Sequence, residues 1–404
     1  MRPVTVWGIG VVSAFGTSPE AFRDALLDGR SAIAPVSGFS TAECRSVLAA
    51  EIVGFDATAW VPPMKLRRLD RTGVYALAAA KLAVQDAEAA LAAEGHDNIG
   101  VVIGTWTAGG QSTQQFLDAL FRHGPAGAPA LLFDSTVGNS AASIVGLEFK
   151  LRGPNVTVSH KEASGLAAII MAVDHLREGR ASALFAGGVD GVYETFFKGH
   201  DRFNVMSREP AFSPACAPFD GDRSGFVVGE GGFGLWLGDV APSATSRSRG
   251  EILGVASSSA SVPVNRWPAE AAALTRTMRL ALADAGLDAG DVDVVYASAN
   301  ATTALDAVEA RALADTFGRS RAIVTSIKGA LGEFGASGAA ACAAAFLCGR
   351  LGRVPPIAGL TRPDRALGNL HLARESTHAP GPIVLVNSFA SGGALFSAVL
   401  RVSA

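Results

Sequence analysis

A chain of 404 residues has room for two domains, or for one large body built from two similar halves. Hydrophobic residues make up 49% and charged residues 18%, which commits most of the chain to a buried core and excludes a disordered or fibrous protein. A net charge of −3 offers no electrostatic footprint for nucleic acid or an anionic membrane.

The first residues run straight into an apolar strand pattern over 5–9, with no secretory signal. A Gly/Ser loop over 8–13 follows; its GxG lacks the third glycine of a dinucleotide site. Residues 21–27 form a short helix closed by Gly29. The cluster Lys65, Arg67, Arg68, Asp70 and Arg71 carries both signs and reads as a solvated face or an interaction patch. An alanine-rich helix over 75–93 precedes a strand over 99–104. The helix over 114–123 then places Phe116, Leu117, Leu120 and Phe121 on one side. After a turn-rich break at 124–129 comes a helix over 139–150.

Residues 156–170 begin as an apolar strand, pass through the polar tip His160-Lys161-Glu162, and become a helix of small residues. Such an elbow presents its tip at a helix N-terminus, where free N–H groups favour negative charge; many enzymes place a nucleophile there. The tip here carries Glu162, a poor nucleophile. A strand over 183–188 closes this series.

The order then recurs. Helix 75–93, strand 99–104, strand–elbow–helix 155–176 and strand 184–188 are matched by helix 271–285, strand 292–297, strand–loop–helix 323–347 and strand 383–387. The match implies an internal duplication joined near 241–250, giving an N-terminal half over 1–240 and a C-terminal half over 241–404 in a layered α/β fold. Two independent Rossmann-like domains would need a phosphate fingerprint, which is absent. Cys44, Cys216, Cys342 and Cys348 are widely spread with no metal-ligand spacing. They read as reduced thiols of a cytoplasmic protein without a metal site. No uncharged apolar run reaches the length of a membrane span.

Five ordered stretches carry a family resemblance: VVSAFG at 11–16, ASG at 163–165, PFDGDRSGFVVGEGG at 218–232, RVPPIAGL at 353–360 and NSFASGG at 387–393. Together they resemble the β-ketoacyl synthases, over essentially the whole chain. The resemblance implies a thiolase-like fold: two duplicated halves in an αβαβα five-layer arrangement, dimerised through strands beside the elbows.

The family's active members carry a cysteine at the elbow and two histidines that assist decarboxylation and stabilise the enolate. Here the matching positions are Glu162, Ser298 and Glu333. The family's lysine is retained as Lys328, and a phenylalanine of the last stretch is replaced by Ser391. A carboxylate attacking a thioester yields only a water-labile anhydride. Without imidazoles there is no matched acid–base pair, and ionised Glu162 and Glu333 would repel an enolate. No catalytic residue of the ketosynthase reaction is therefore expected.

The pattern resembles the chain-length-factor-like subunits, which lack the cysteine and pair with an active ketosynthase. Among them it is similar to the divergent partners of aryl-polyene-type pathways. The resemblance implies an active β-ketoacyl synthase as heterodimer partner and acyl carrier protein as a further partner. It implies no cofactor of the chain's own; the carrier's phosphopantetheine serves the partner. It also implies a tunnel at the interface, for which Phe116, Leu117, Leu120 and Phe133 are the candidates. Two alternatives stay open: an atypical condensing or decarboxylating enzyme using Glu162, and a carrier-protein scaffold that shapes no product. Three further expectations follow. Lys328 pairs with one or both of Glu162 and Glu333 in a buried cluster, with Glu162 gaining from the helix N-terminus. His160 points away from the site, and Arg67, Arg68 and Arg71 are available to an acidic carrier.

Overall fold

The structure, a computed structural model, describes residues 2–89, 91, 96–318 and 322–403. Ten strands form one mixed sheet: β1 (Val4–Val12), β2 (Ile99–Gly104), β3 (Asn155–Val158), β4 (Ala183–Asp190), β5 (Gly231–Gly238), β6 (Gly250–Ser259), β7 (Val294–Tyr296), β8 (Ile323–Thr325), β9 (Ile383–Phe389) and β10 (Ala394–Val402). Their spatial order is β8-β7-β9-β10-β6-β1-β5-β4-β2-β3. Adding five to each number of the run β1-β5-β4-β2-β3 gives the run β6-β10-β9-β7-β8. Within each run the first two pairings are antiparallel and the last two parallel. The duplication is thus written in strand order and direction. The units meet where Val4–Val6 of β1 pairs antiparallel with Gly250–Ile252 of β6.

Nine helices of two turns or more are needed to follow the packing: α1 (Pro19–Leu27), α2 (Arg71–Asp86), α3 (Gly110–His123), α4 (Ser140–Glu148), α5 (Ser164–Arg177), α6 (Glu194–Arg202), α7 (Ala272–Ala285), α8 (Thr303–Phe317) and α9 (Ser337–Gly349). α2 and α4 cover the outer face of the N-terminal unit, and α7 and α8 that of the C-terminal unit. α5 and α9 lie between the units against each other, which gives the five layers implied by the resemblance.

The small residues of the middle layer have a steric cause. A Cβ on Gly104 would lie 1.9 Å from the Ser164 carbonyl oxygen, and one on Gly165 would lie 3.1 Å from Ala336 Cα. Strand end and helix start meet backbone to backbone at the elbow, and α5 meets α9 the same way. The acids of the 218–232 stretch act as structural pins. Asp220 accepts from the Thr361 and Arg362 N–H groups. Glu230, fully buried, accepts from the Ile52 and Val192 N–H groups and from Arg71.

The observed elements correct the sequence-based bounds where local chemistry decides. β1 continues to Val12, through most of the expected Gly/Ser loop. α1 starts at Pro19 because Ser18 accepts the Ala21 N–H, and α2 starts at Arg71 because Asp70 accepts the Thr72 N–H. α2 stops at Asp86; residues 90, 92 and 93 of the expected helix lie outside the described residues. β5 is glycine-rich, β6 begins at the expected join, and α8 has little amphipathic contrast, so none of the three stood out.

Gly104→Ala should lower unfolding stability by about 1–3 kcal/mol through overpacking at the elbow. Gly199→Ala, in open space within α6, should raise it by about 0.5–1 kcal/mol. Chemical denaturation of both variants checks the pair.

Candidate functional site

The elbow runs from β3 through a single 3₁₀ turn, Lys161–Ala163, into α5. Ser164 locks the turn: its hydroxyl donates to the Lys161 carbonyl at 2.7 Å and accepts the His160 N–H at 2.9 Å. Lys161 is held at φ +52°, a left-handed conformation unusual for a residue with a Cβ. The first N–H groups of the elbow are already used. Ala163 N–H goes to the His160 carbonyl, Ser164 N–H to that of Lys161, and Gly165 N–H to that of Gly335. Glu162 therefore does not cap α5, contrary to expectation.

The Glu162 carboxylate turns instead to the loop after β9. Oε1 accepts the Ser391 hydroxyl at 2.7 Å and Oε2 accepts the Ser391 N–H at 3.2 Å, while Glu162's own N–H also faces its carboxylate. Two backbone donors that converge on one point make an anion hole. The side chain of Glu162 fills it. Burial pushes this carboxyl above the usual carboxylate range; the Lys161 ammonium, 3.9 Å from Oε1, opposes that shift and the Glu333 charge adds to it. Lys161 Nζ also bonds the Ser391 hydroxyl and Asn265 and lies over the Trp106 ring.

Behind this plug sits a second cluster. Lys328 Nζ lies 2.7 Å from Glu333 Oε2 and donates to the Ser298 carbonyl at 2.7 Å. Glu333 also accepts from Asn300 Nδ2 and from the Ser337 hydroxyl, each at 2.8 Å. The Ser298 hydroxyl accepts the Phe389 N–H, and the Ser298 N–H donates to Glu309 Oε1. The structure thus gathers Ser298, Lys328 and Glu333 into one cluster around the Lys328–Glu333 ion pair. Glu162 stands apart from Lys328, which corrects the two-acid version of the expected cluster. Asn300 and Glu309 were missed because they reach the cluster from other elements; Ser337, four residues after Glu333, and Lys161, next to Glu162, are local partners that the sequence could have offered.

Two other expectations are settled by position. His160 is exposed and stacks near Phe396, away from the carboxylate. Arg71 pairs with the buried Glu230 at 3.1 Å and stays partly exposed; Arg67 and Arg68 are exposed. Phe116 and Phe133 lie ring to ring at 5.7 Å. Leu117 is 39% and Phe133 57% exposed, with Phe116 and Leu120 half-buried, so these side chains are not core.

A cavity of about 270 Å³ opens in front of Glu162, and none of the four cysteines lines it. Burial pushes Cys342 and Cys348 up to about 12, so they offer no thiolate. His200 reaches the cavity, but its Nδ1 is tied to the Phe196 carbonyl. The geometry holds acidic groups in place. It presents no thiolate or imidazolium to a condensing reaction.

Lys328→Met strands the Glu333 charge in the core and should cost about 3–5 kcal/mol; adding Glu333→Leu should recover most of it. A double-mutant cycle in urea measures both. Burial pushes Glu309 up to about 7, and its Oε2 has no partner among the described residues. A carboxyl whose folded pKa is raised stabilises most below its unfolded value, and that stability is lost as pH rises through about 7. Glu309→Gln should therefore flatten the fall in melting temperature between mildly acidic pH and about 7, read by thermal scans at stepped pH.

Residues 1–237 match the β-ketoacyl synthase N-terminal domain, and 249–361 match its C-terminal domain. The chain is 28% identical over 401 residues to 3-oxoacyl-[acyl-carrier-protein] synthase 2 of Coxiella burnetii, covering 97% of this chain and 96% of that protein. It is 32% identical over 386 residues to the actinorhodin polyketide putative β-ketoacyl synthase 2 of Streptomyces coelicolor, covering 93% of each. The solved ishigamide ketosynthase/chain length factor superposes with a TM-score of 0.91 at 28% identity, over 100% of both chains. With its duplicated five-layer thiolase-like fold and these matches, the chain belongs to the β-ketoacyl synthase family.

Proposed function

We propose that this chain is a chain-length-factor-like subunit of a type II polyketide or fatty acid pathway. It pairs with an active β-ketoacyl-acyl-carrier-protein synthase, does not condense by itself, and shapes the acyl tunnel. The observation that carries the reading is the Glu162 carboxylate lodged in the anion hole, where a reacting carbonyl oxygen would need to sit. The neutralised Lys328–Glu333 pair behind it adds support, as do the relatives named for ketosynthase-like subunits. The polyene assignment rests on the replacement pattern Glu162, Ser298 and Glu333. Acyl carrier protein meets the pair in the cytoplasm, and its phosphopantetheine serves the partner.

Two surfaces suit the pairing. β3 is the last strand of its run, and the carbonyls of Pro154 and Val158 point into the β2 ladder. Alternation leaves the N–H and C=O of Thr157 at the free edge, ready to add a strand. The second is α3 with the turn over Ala130–Ser135 packed on it: α3 buries only Ser112 within the single chain, and Leu117 and Phe121 of the helix and Leu131 and Phe133 of the turn are exposed. An apolar face of that kind on one subunit marks an interface.

Co-expression with a ketosynthase carrying an intact Cys-His-His set should give a stable 1:1 complex; a homodimer that ignores the partner would contradict the reading. Thr157→Pro, tolerable on a free edge, should leave the circular dichroism of this chain unchanged and abolish the complex on size exclusion. In the reconstituted pair, truncating Phe116, Leu117, Leu120 and Phe133 to Ala should lengthen the product read by mass spectrometry. Unchanged length across the set would remove the tunnel role.

A further inference from the structure

The cavity in front of the elbow contains a hydrogen-bonded trio built on the same Glu162 carboxylate that fills the anion hole. Lys161 Nζ donates to Ser391 Oγ at 2.5 Å, and the Ser391 hydroxyl donates to Glu162 Oε1 at 2.7 Å. Glu162 is in turn held by the Ser391 N–H and its own N–H. A hydroxyl within reach of a carboxylate, the carboxylate fixed by further donors, is the arrangement of an activated nucleophile. All three side chains line the cavity, together with Phe203, Phe226 and Trp267, whose faces suit an apolar acyl group. Thr302 lines it too, and its buried hydroxyl has no partner among the described residues.

We propose that Ser391 is a nucleophile with Glu162 as its general base, and that this cavity hydrolyses activated acyl esters and thioesters. Ser391 Oγ attacks the acyl carbonyl carbon while its proton passes to Glu162 Oε1. Collapse of the adduct breaks the C–S or C–O bond, and the leaving thiol or alcohol takes the proton back from Glu162. Water then attacks the Ser391 ester, giving its proton to Glu162. The C–Oγ bond breaks, Ser391 recovers the proton, and a carboxylic acid departs. Because Glu162 fills the anion hole, the charge that develops on the acyl carbonyl oxygen is met by the Lys161 ammonium and the Thr302 hydroxyl, both of which line the cavity. Burial raises the Glu162 carboxyl toward the basicity that a general base needs. The chemistry asks of Glu162 only proton transfer, which a carboxylate does well, and asks no carbon nucleophile of it. It is independent of any partner subunit.

The test uses the purified full chain with p-nitrophenyl butyrate and the butyryl thioester of N-acetylcysteamine. A fluorophosphonate probe, located by peptide mass spectrometry, is run in parallel. The expected result is turnover that falls to the no-enzyme rate in Ser391→Ala and by about a hundredfold in Glu162→Gln, with the probe on Ser391. A wild-type rate equal to that of Ser391→Ala, or a probe that leaves Ser391 unlabelled in the folded wild-type chain, overturns the proposal.

Discussion

A buried carboxylate must find donors, and at the tip of this elbow the supply is fixed by the fold. The Glu162 N–H and the Ser391 N–H already point at the same spot, because the strand-to-helix turn and the loop after β9 bring them there. Glu162 meets that supply with its own side chain. An unfilled anion hole beside a buried acid would leave donors and acceptor all unsatisfied, at a cost of about 1–3 kcal/mol for each lost partner. Plugging the hole is thus the stable arrangement for this sequence.

The same requirement shapes the second cluster. A buried ammonium such as that of Lys328 needs a counter-charge, and Glu333 supplies it at 2.7 Å. Asn300 and Ser337 complete the carboxylate's bonds, so the pair satisfies the condition under which a buried ion pair is tolerated. The pocket is therefore filled by internal partners.

The duplication was legible because it is carried by element order, a property of the chain itself. So was the acid at the elbow tip and the pairing of Lys328 with an acid five residues on in the same loop. Glu162's true partner was not: Ser391 lies 229 residues away and reaches the elbow only through sheet closure. The pairing of Arg71 with Glu230, 159 residues on, escaped reading for the same reason. The bounds of α1 and α2 shifted because single capping side chains, Ser18 and Asp70, set where a helix begins. The exposure of Phe133 and Leu117 needed the structure as well, since an apolar stripe on a helix looks the same whether it meets a core or a partner.

The account's central claim is that the elbow pocket has lost carbon–carbon bond formation. The most direct measurement supplies the purified chain alone with malonyl-carrier protein and an acyl-carrier protein, following release of carbon dioxide and formation of the β-ketoacyl product. The account predicts neither above the level without enzyme. Release of carbon dioxide together with β-ketoacyl product at a rate abolished by Glu162→Ala would contradict it.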